Sequence, residues 1–161
     1  MKEVLEELKS NKFVGIECPE GLYLLVDAKD EVLAERFVAG VFEDASREVL
    51  IADINSIEQY FSELNPLIYD LVEFSEKPML LILPHSKNIA AAWQNAEQRI
   101  GIREEKSSEL HKLIFQFRRA VVKVKVASKI ETVKFFKFNW TAPEIAIIAL
   151  DPSGKISILQ K

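Results

Sequence analysis

Cysteine occurs once in these 161 residues, at Cys18, and histidine twice. A single thiol excludes an internal disulfide, and the chain has too few soft ligands to build a zinc cage. Such sparing cysteine use is the habit of reducing compartments, so a cytoplasmic location is expected. Glycine is scarce as well, with five in all. Neither the three-glycine dinucleotide fingerprint nor the phosphate loop ending in Gly-Lys-Ser/Thr occurs, so no glycine-rich phosphate cradle is encoded. No run of 18 apolar residues exists, and a membrane span is not expected. The opening MKEVLEELKSNKF is charged and amphipathic, without the apolar centre of a signal peptide. With 48% hydrophobic residues, no Gly-, Pro- or Ser-rich linker and no internal repeat, the chain reads as one globular domain over residues 1–161.

What is present is charge, unevenly spread. Residues 1–76 hold six basic and 18 acidic side chains, a net −12, whereas residues 77–161 hold 15 basic and seven acidic, a net +8. Such asymmetry marks a nucleic-acid or phosphate face, or else two halves that interleave in space so that the charges average out. The segment Lys112 to Phe138 concentrates the second sign: eight basic residues and one acidic, interleaved with five phenylalanines. Basic side chains among aromatics suit RNA, and Arg118, Arg119, Lys123 and Lys125 are the candidates. A solvated sheet edge guarded by lysines gives the same pattern.

Periodicity predicts alternating helices and strands. EVLEELKS places Val4, Leu5 and Leu8 on one helical face. KFVGIE and LYLLVDA read as strands separated by Pro19 and Gly21. Asp30 can cap a helix running to about Phe37, EVLIAD is a short buried strand, and Asp53 or Asn55 then opens a helix, SIEQYFSEL. Pro66 suits the first turn of another, with Leu67, Ile68, Leu71 and Val72 inward. MLLILP is a continuous apolar strand covered on both faces. Ile89 to Trp93 makes one or two helical turns, and RIGIR is a strand. Ser107 and Ser108 begin the helix SSELHKLIFQF, with Leu110, Leu113, Ile114 and Phe117 on one side. AVVKVKVAS alternates as a half-buried strand, its valines opposed to Lys123 and Lys125. EIAIIAL and KISILQ form a hairpin across Asp151 to Gly154. The fold class is therefore α/β (α+β): a mixed sheet flanked by helices, closed by a C-terminal hairpin.

Few single residues invite chemistry. Cys18 has no histidine near it in sequence and reads as a buried, idle thiol. His85-Ser86-Lys87 offers serine chemistry on paper, but consecutive side chains point apart and triads are rarely built from neighbours. His111 falls off the apolar face of its helix, and Trp93 and Trp140 read as packing residues.

The order of elements resembles that of the YrdC family, whose enzymes are L-threonylcarbamoyladenylate synthases. The resemblance is clearest from Tyr69 to Ser128, where relatives carry a KPLT strand start, an ILP strand end, a KN pair and a GIR strand. The counterparts are Lys77-Pro78-Met79, Ile82-Leu83-Pro84, Lys87-Asn88 and Gly101-Ile102-Arg103. VGIECPEGLYLLVDAKDE lies where relatives have PTDTVYGLGCDA, and PEIAIIALDPSGKISILQK resembles their closing hairpin. The resemblance implies a twisted sheet around a large, positively charged cavity. It also implies a reaction in which threonine, bicarbonate and ATP give threonylcarbamoyl-AMP and pyrophosphate, for the modification of adenosine in tRNA, and a link to double-stranded RNA.

The departures bear on that chemistry. A triphosphate must be met by Lys, Arg or oriented backbone amides. The family's Thr-Asp-Thr turn is missing, and Glu17 and Glu20 stand nearby, where carboxylates repel a triphosphate. The family's Lys-x-Arg pair is replaced by VAGVFEDASRE, with Val41, Phe42, Glu43 and Asp44 in its place and Arg47 as the one remaining cation. Lys123 and Lys125 occupy positions of two small hydroxyl residues. Leu80 replaces the threonine that helps hold the amino-acid substrate. Arg103, Lys87 and Asn88 survive, and with Arg47 they are the anion- or nucleotide-binding candidates.

Three functions fit this pattern. One is a non-catalytic relative of the synthase that retains RNA or anion binding and needs no cofactor. Another is an active synthase, or other nucleotide-using enzyme requiring ATP and Mg, rebuilt around Arg103, Lys123 and Lys125. The third is an interaction protein that forms a homodimer. No catalytic residue and no metal ligand is assigned from the sequence.

Overall fold

The computed structural model describes residues 1–39, 47–106 and 108–161. Val41, Phe42, Glu43, Asp44 and Ser107 lie outside them. The elements run α1 (Lys2–Lys9), β1 (Val14–Cys18), β2 (Gly21–Asp27), α2 (Glu31–Ala39), β3 (Arg47–Ile51), a 3₁₀ turn (Ile54–Gln59), α3 (Leu67–Glu73), β4 (Met79–Pro84), a second 3₁₀ turn (Ala91–Trp93), β5 (Arg99–Glu104), α4 (Ser108–Phe117), β6 (Val121–Val126), β7 (Lys134–Lys137), β8 (Ala146–Leu150) and β9 (Ile156–Gln160). The strands form one mixed sheet in the order β7-β1-β2-β6-β3-β5-β4-β8-β9. The α/β class and the single mixed sheet read from the sequence are what the chain adopts.

Because side chains alternate across a strand, the sheet supports two cores. On one face Leu24, Val26, Val49, Leu81, Ile102, Val122 and Ile148 pack under α2, α3 and both 3₁₀ turns, through Leu33, Phe37, Ile57, Ile68 and Trp93. On the other face Ile16, Leu25, Leu50 and Val121 pack under α1 and α4, through Val4, Leu8, Leu110, Leu113 and Phe117. The apolar stripes expected for α1 and α4 are thus the buried ones. Asp30 caps α2 as expected, its carboxylate accepting from the Leu33 N–H at 3.0 Å. The closing hairpin turns where expected: Asp151 Oδ1 accepts from the N–H groups of Ser153 and Lys155, both at 3.0 Å, and Gly154 takes the left-handed φ of 94°.

Leu67, expected to face inward on α3, is exposed, whereas Ile68 is buried, and three larger expectations need correction. SIEQYFSEL is not an α-helix. Asp53 accepts from the Asn55 N–H and starts a 3₁₀ turn that ends at Gln59, and Phe61 then bridges to Ser86. Strand β7 has no counterpart in the sequence reading. It pairs parallel to β1, and the Phe135 ring lies so close over Gly15 that a Cβ there would sit 2.3 Å away. Lastly, the lysine side of β6 is only partly solvated: Lys125 is exposed, but Lys123 is buried. Residues 138–145, which connect β7 to β8, pass over it as an extended strap: Trp140 is 4% exposed and meets Tyr23 edge to face at 5.3 Å.

Candidate functional site

Between the strap and the sheet lies a cavity of about 170 Å³ lined by Tyr23, Glu48, Arg103, Lys123 and Lys125 from the strands and Ala142, Pro143 and Ile145 from the strap. The side chains converge because Glu48, Arg103 and Lys123 occupy same-face positions on β3, β5 and β6: Glu48 pairs with Lys123 and Leu50 with Arg103 across the ladder. Charged residues in buried strand positions must find partners, and these do. Arg103 Nη2 donates to Glu48 Oε2 at 3.3 Å and to Glu105 Oε2 at 3.0 Å. Lys123 Nζ lies 3.0 Å from Glu48 Oε2. Two cations and two carboxylates therefore close on one another, all four buried. The Lys123 ammonium also sits 4.1 Å from the Trp140 ring centre and 4.8 Å from that of Tyr23, a favourable cation–π arrangement.

Burial alone would raise the Glu48 pKa, but the Lys123 and Arg103 charges and their hydrogen bonds hold it below the usual carboxylate value. For Lys123, burial lowers the pKa, and the Glu48 carboxylate offsets part of that. Arg103 keeps one buried donor, Nε, without a partner.

Of the anion-binding candidates, Arg103 alone lines the cavity. Arg47 points to the other face, where Nη1 donates to the Ala92 carbonyl at 3.5 Å and the guanidinium lies 5.9 Å from the Trp93 ring centre. Lys87 and Asn88 hold the turn after β4: the Lys87 N–H donates to the Tyr60 carbonyl and Asn88 Nδ2 to the Gln59 carbonyl, both at 2.8 Å. Asn88 there has a φ of 59°, which asparagine tolerates better than most residues. The two carboxylates read from the sequence as repelling a triphosphate, Glu17 and Glu20, are used structurally. Glu17 pairs with Lys129 at 3.2 Å, and Glu20 accepts from the Ala142 N–H at 3.2 Å, tying down the strap. Leu80 is buried and lies over Gly101, 3.3 Å from where a Cβ would stand. Glu43 lies outside the described residues.

The RNA-facing candidates do not form one surface. Lys123 is buried, and Arg119 pairs with Asp27 at 2.9 Å. Lys125, beside the cavity, and Arg118, at the end of α4, are exposed. Lys134 pairs with Glu7 at 3.5 Å. With Lys129–Glu17, Arg119–Asp27 and Lys123–Glu48, this pair sets the basic half of the chain against the acidic half, the interleaving that the composition allowed. Cys18 is buried next to the strap, and burial raises its thiol pKa. His85 faces Glu63 at 3.4 Å, and His111 Nδ1 lies 2.8 Å from the Glu105 carbonyl. Among the described residues, no group of three or more His, Cys, Asp or Glu could hold a metal, and no helix is long and apolar enough to cross a membrane.

Sequence reasoning missed Glu48 and Glu105, the partners that decide what Arg103 and Lys123 can do. A signal existed. Glu48, Arg103 and Lys123 are charged residues, each beside an apolar neighbour in a strand segment, a pattern that demands mutual pairing if the positions are buried.

No protein-family model and no curated protein matches the sequence. Solved structures do match in fold. Sua5 of P. abyssi superposes with a TM-score of 0.74 at 15% identity, over 93% of this chain and 50% of that one. YciO of E. coli gives 0.73 at 10% identity, over 99% of this chain and 87% of that one. HypF in its phosphate- and nucleotide-bound form gives 0.65 at 16% identity, over 98% of this chain and 28% of that one. The chain thus spans about half the length of P. abyssi Sua5 and a smaller part of HypF. With nearly every element superposed on these proteins, the chain has the YrdC-like fold.

Proposed function

We propose that this chain is a non-catalytic YrdC-like domain, diverged from the threonylcarbamoyl-AMP synthase of tRNA modification, whose substrate cavity has become an internal charge lock. The observation that carries this reading is the pairing of Arg103 and Lys123 with Glu48 and Glu105. Proteins that contain this fold have been solved with ligands: P. abyssi Sua5 complexed with L-threonine, and full-length HypF in a phosphate- and nucleotide-bound form. A triphosphate entering here would have to displace carboxylates from their cations. Leaving a buried charge unpaired costs about 3–5 kcal/mol. The space supports the same conclusion, since cavities for ligands of nucleotide size run from about 300 Å³ upward and this one is about 170 Å³.

Thermal unfolding with Mg-ATP, AMP and L-threonine tests the reading. A ligand at one hundred times its Kd would add about 2.7 kcal/mol, or roughly 5–10 °C for a chain of this size. No shift is expected at millimolar ligand. A shift of that size with ATP, reduced by Lys125→Ala, would support instead an active nucleotide-using site rebuilt around Lys125 and the unpartnered Arg103 Nε. Retained RNA binding rests on the exposed Arg118 and Lys125, with Arg119 half-exposed beside its Asp27 partner. It predicts weak, salt-sensitive retention of tRNA or duplex RNA, and absence of binding at about 50 mM salt removes it.

A further inference from the structure

At one end of the sheet β3 and β5 finish while β4 and β6 begin. Two features with no role in the cavity described above share that end. The first is a second cavity, of about 220 Å³, lined among others by the apolar Ile51, Ile114 and Phe115 and by the charged Asp53, Arg118 and Arg119. Phe115 is 68% exposed. The second is Phe74, just past α3 and 78% exposed, set among the exposed acids Asp70, Glu73 and Glu76. The two regions adjoin through β5: the Ile54 N–H, following β3, donates to Glu104 Oε2 at 2.6 Å, and Glu104 shares a further hollow with Glu76 and Met79.

We propose that two copies of the chain associate through this end about a two-fold axis, the Phe74 ring of each seated in the Phe115–Arg118 cavity of the other. Size favours a side chain as occupant. An apolar cavity of about 150 Å³ accepts benzene, and about 220 Å³ falls short of the usual small-molecule range. Charge favours this particular side chain: Phe74 lies among the exposed acids Asp70, Glu73 and Glu76, whereas the cavity's lining carries two arginines, Arg118 and Arg119, against one carboxylate, Asp53. Opposite fields steer such an encounter and fix its register. Symmetry completes the argument. An isologous contact needs knob and socket on the same surface of the molecule, and here both lie at the end of the sheet where β3 and β5 finish, α3 reaching it from one face and α4 from the other. An exposed aromatic anchor in an apolar pocket is also where binding energy concentrates.

Sedimentation equilibrium of the full chain, from micromolar to near-millimolar concentration, reads this out. The chain is expected to dimerise in the micromolar range, more weakly as salt rises. Phe74→Ala and Arg118→Glu are each expected to raise the dissociation constant at least about tenfold. Combining Glu73→Arg with Arg118→Glu should recover part of that loss. Both sites are exposed, so the variants should melt with the parent chain. A monomer at every concentration overturns the proposal. So does a dimer indifferent to both substitutions, and one that dissociates instead on Ile158→Lys would move the interface to the exposed edge strand β9.

Discussion

Arg103 decides between a binding arginine and a structural one, and its removal separates the two. In Arg103→Met the side chain keeps its bulk and loses its charge. Glu105, 1% exposed, and Glu48, 9% exposed, both lose the guanidinium that meets them at 3.0 and 3.3 Å. Glu48 keeps Lys123, whereas the four-residue cluster goes from neutral to a net charge of −1. Breaking a buried ion pair from one side costs about 3–5 kcal/mol, which corresponds to roughly 6–20 °C in Tm for a chain of this length. Urea unfolding followed by tryptophan fluorescence suits the measurement, because Trp140 stacks on the cluster. The companion variant Glu48→Met with Lys123→Met deletes one charge of each sign and leaves the Arg103–Glu105 pair whole. It should cost under about 1.5 kcal/mol, since apolar replacement of a complete buried pair is often neutral or stabilising. An arginine poised for a ligand would behave in the opposite way, losing little stability when replaced. An Arg103→Met cost under about 1 kcal/mol would therefore refute the charge-lock reasoning.

Acid should weaken the fold through Glu48. Its folded pKa is depressed, so the stabilisation is complete above the unfolded value of about 4.3 and is lost as pH falls through the lower, folded one. The urea midpoint of the parent chain should drop more steeply below about pH 5 than that of Glu48→Gln, and parallel profiles would contradict this. Gly15→Ala should cost about 1–3 kcal/mol by overpacking, because the Phe135 ring occupies the site of the new methyl group. Adding Phe135→Ala should lower that cost, whereas equal costs in both backgrounds would mean that the ring is not the obstacle.

Much of the fold was legible because periodicity is local. The stripe Leu110, Leu113, Ile114, Phe117 and the pair Val4 and Leu8 are buried as their spacing requires. The Asp151–Gly154 turn is set by four adjacent residues. Strand β7 was not legible: Lys134-Phe-Phe-Lys137 is too short to show alternation, and it pairs with β1, about 120 residues earlier. The site was half legible. The alternation of Val122 and Lys123 across β6 is real, but which side meets water depends on the strap, whose Asn139-Trp140-Thr141-Ala142-Pro143 has no periodicity to read. Glu48 likewise became informative only once β3 was seen to lie between β6 and β5. The charge asymmetry between the halves, by contrast, resolved into pairs that cross it, such as Glu7–Lys134 and Glu17–Lys129.

The strap also has a length. From Lys137 to Ala146 it makes nine residue steps, which reach about 30–32 Å at full extension. Its ends belong to strands separated by seven inter-strand spacings, roughly 33 Å along the sheet, before any offset along the strand direction is added. A flat sheet would put its ends beyond reach. The connection can close only as a chord across a curled sheet, a bowstring drawn between β7 and β8 that holds the curvature. The depth of the cavity beneath it is then set by the number of residues in the string.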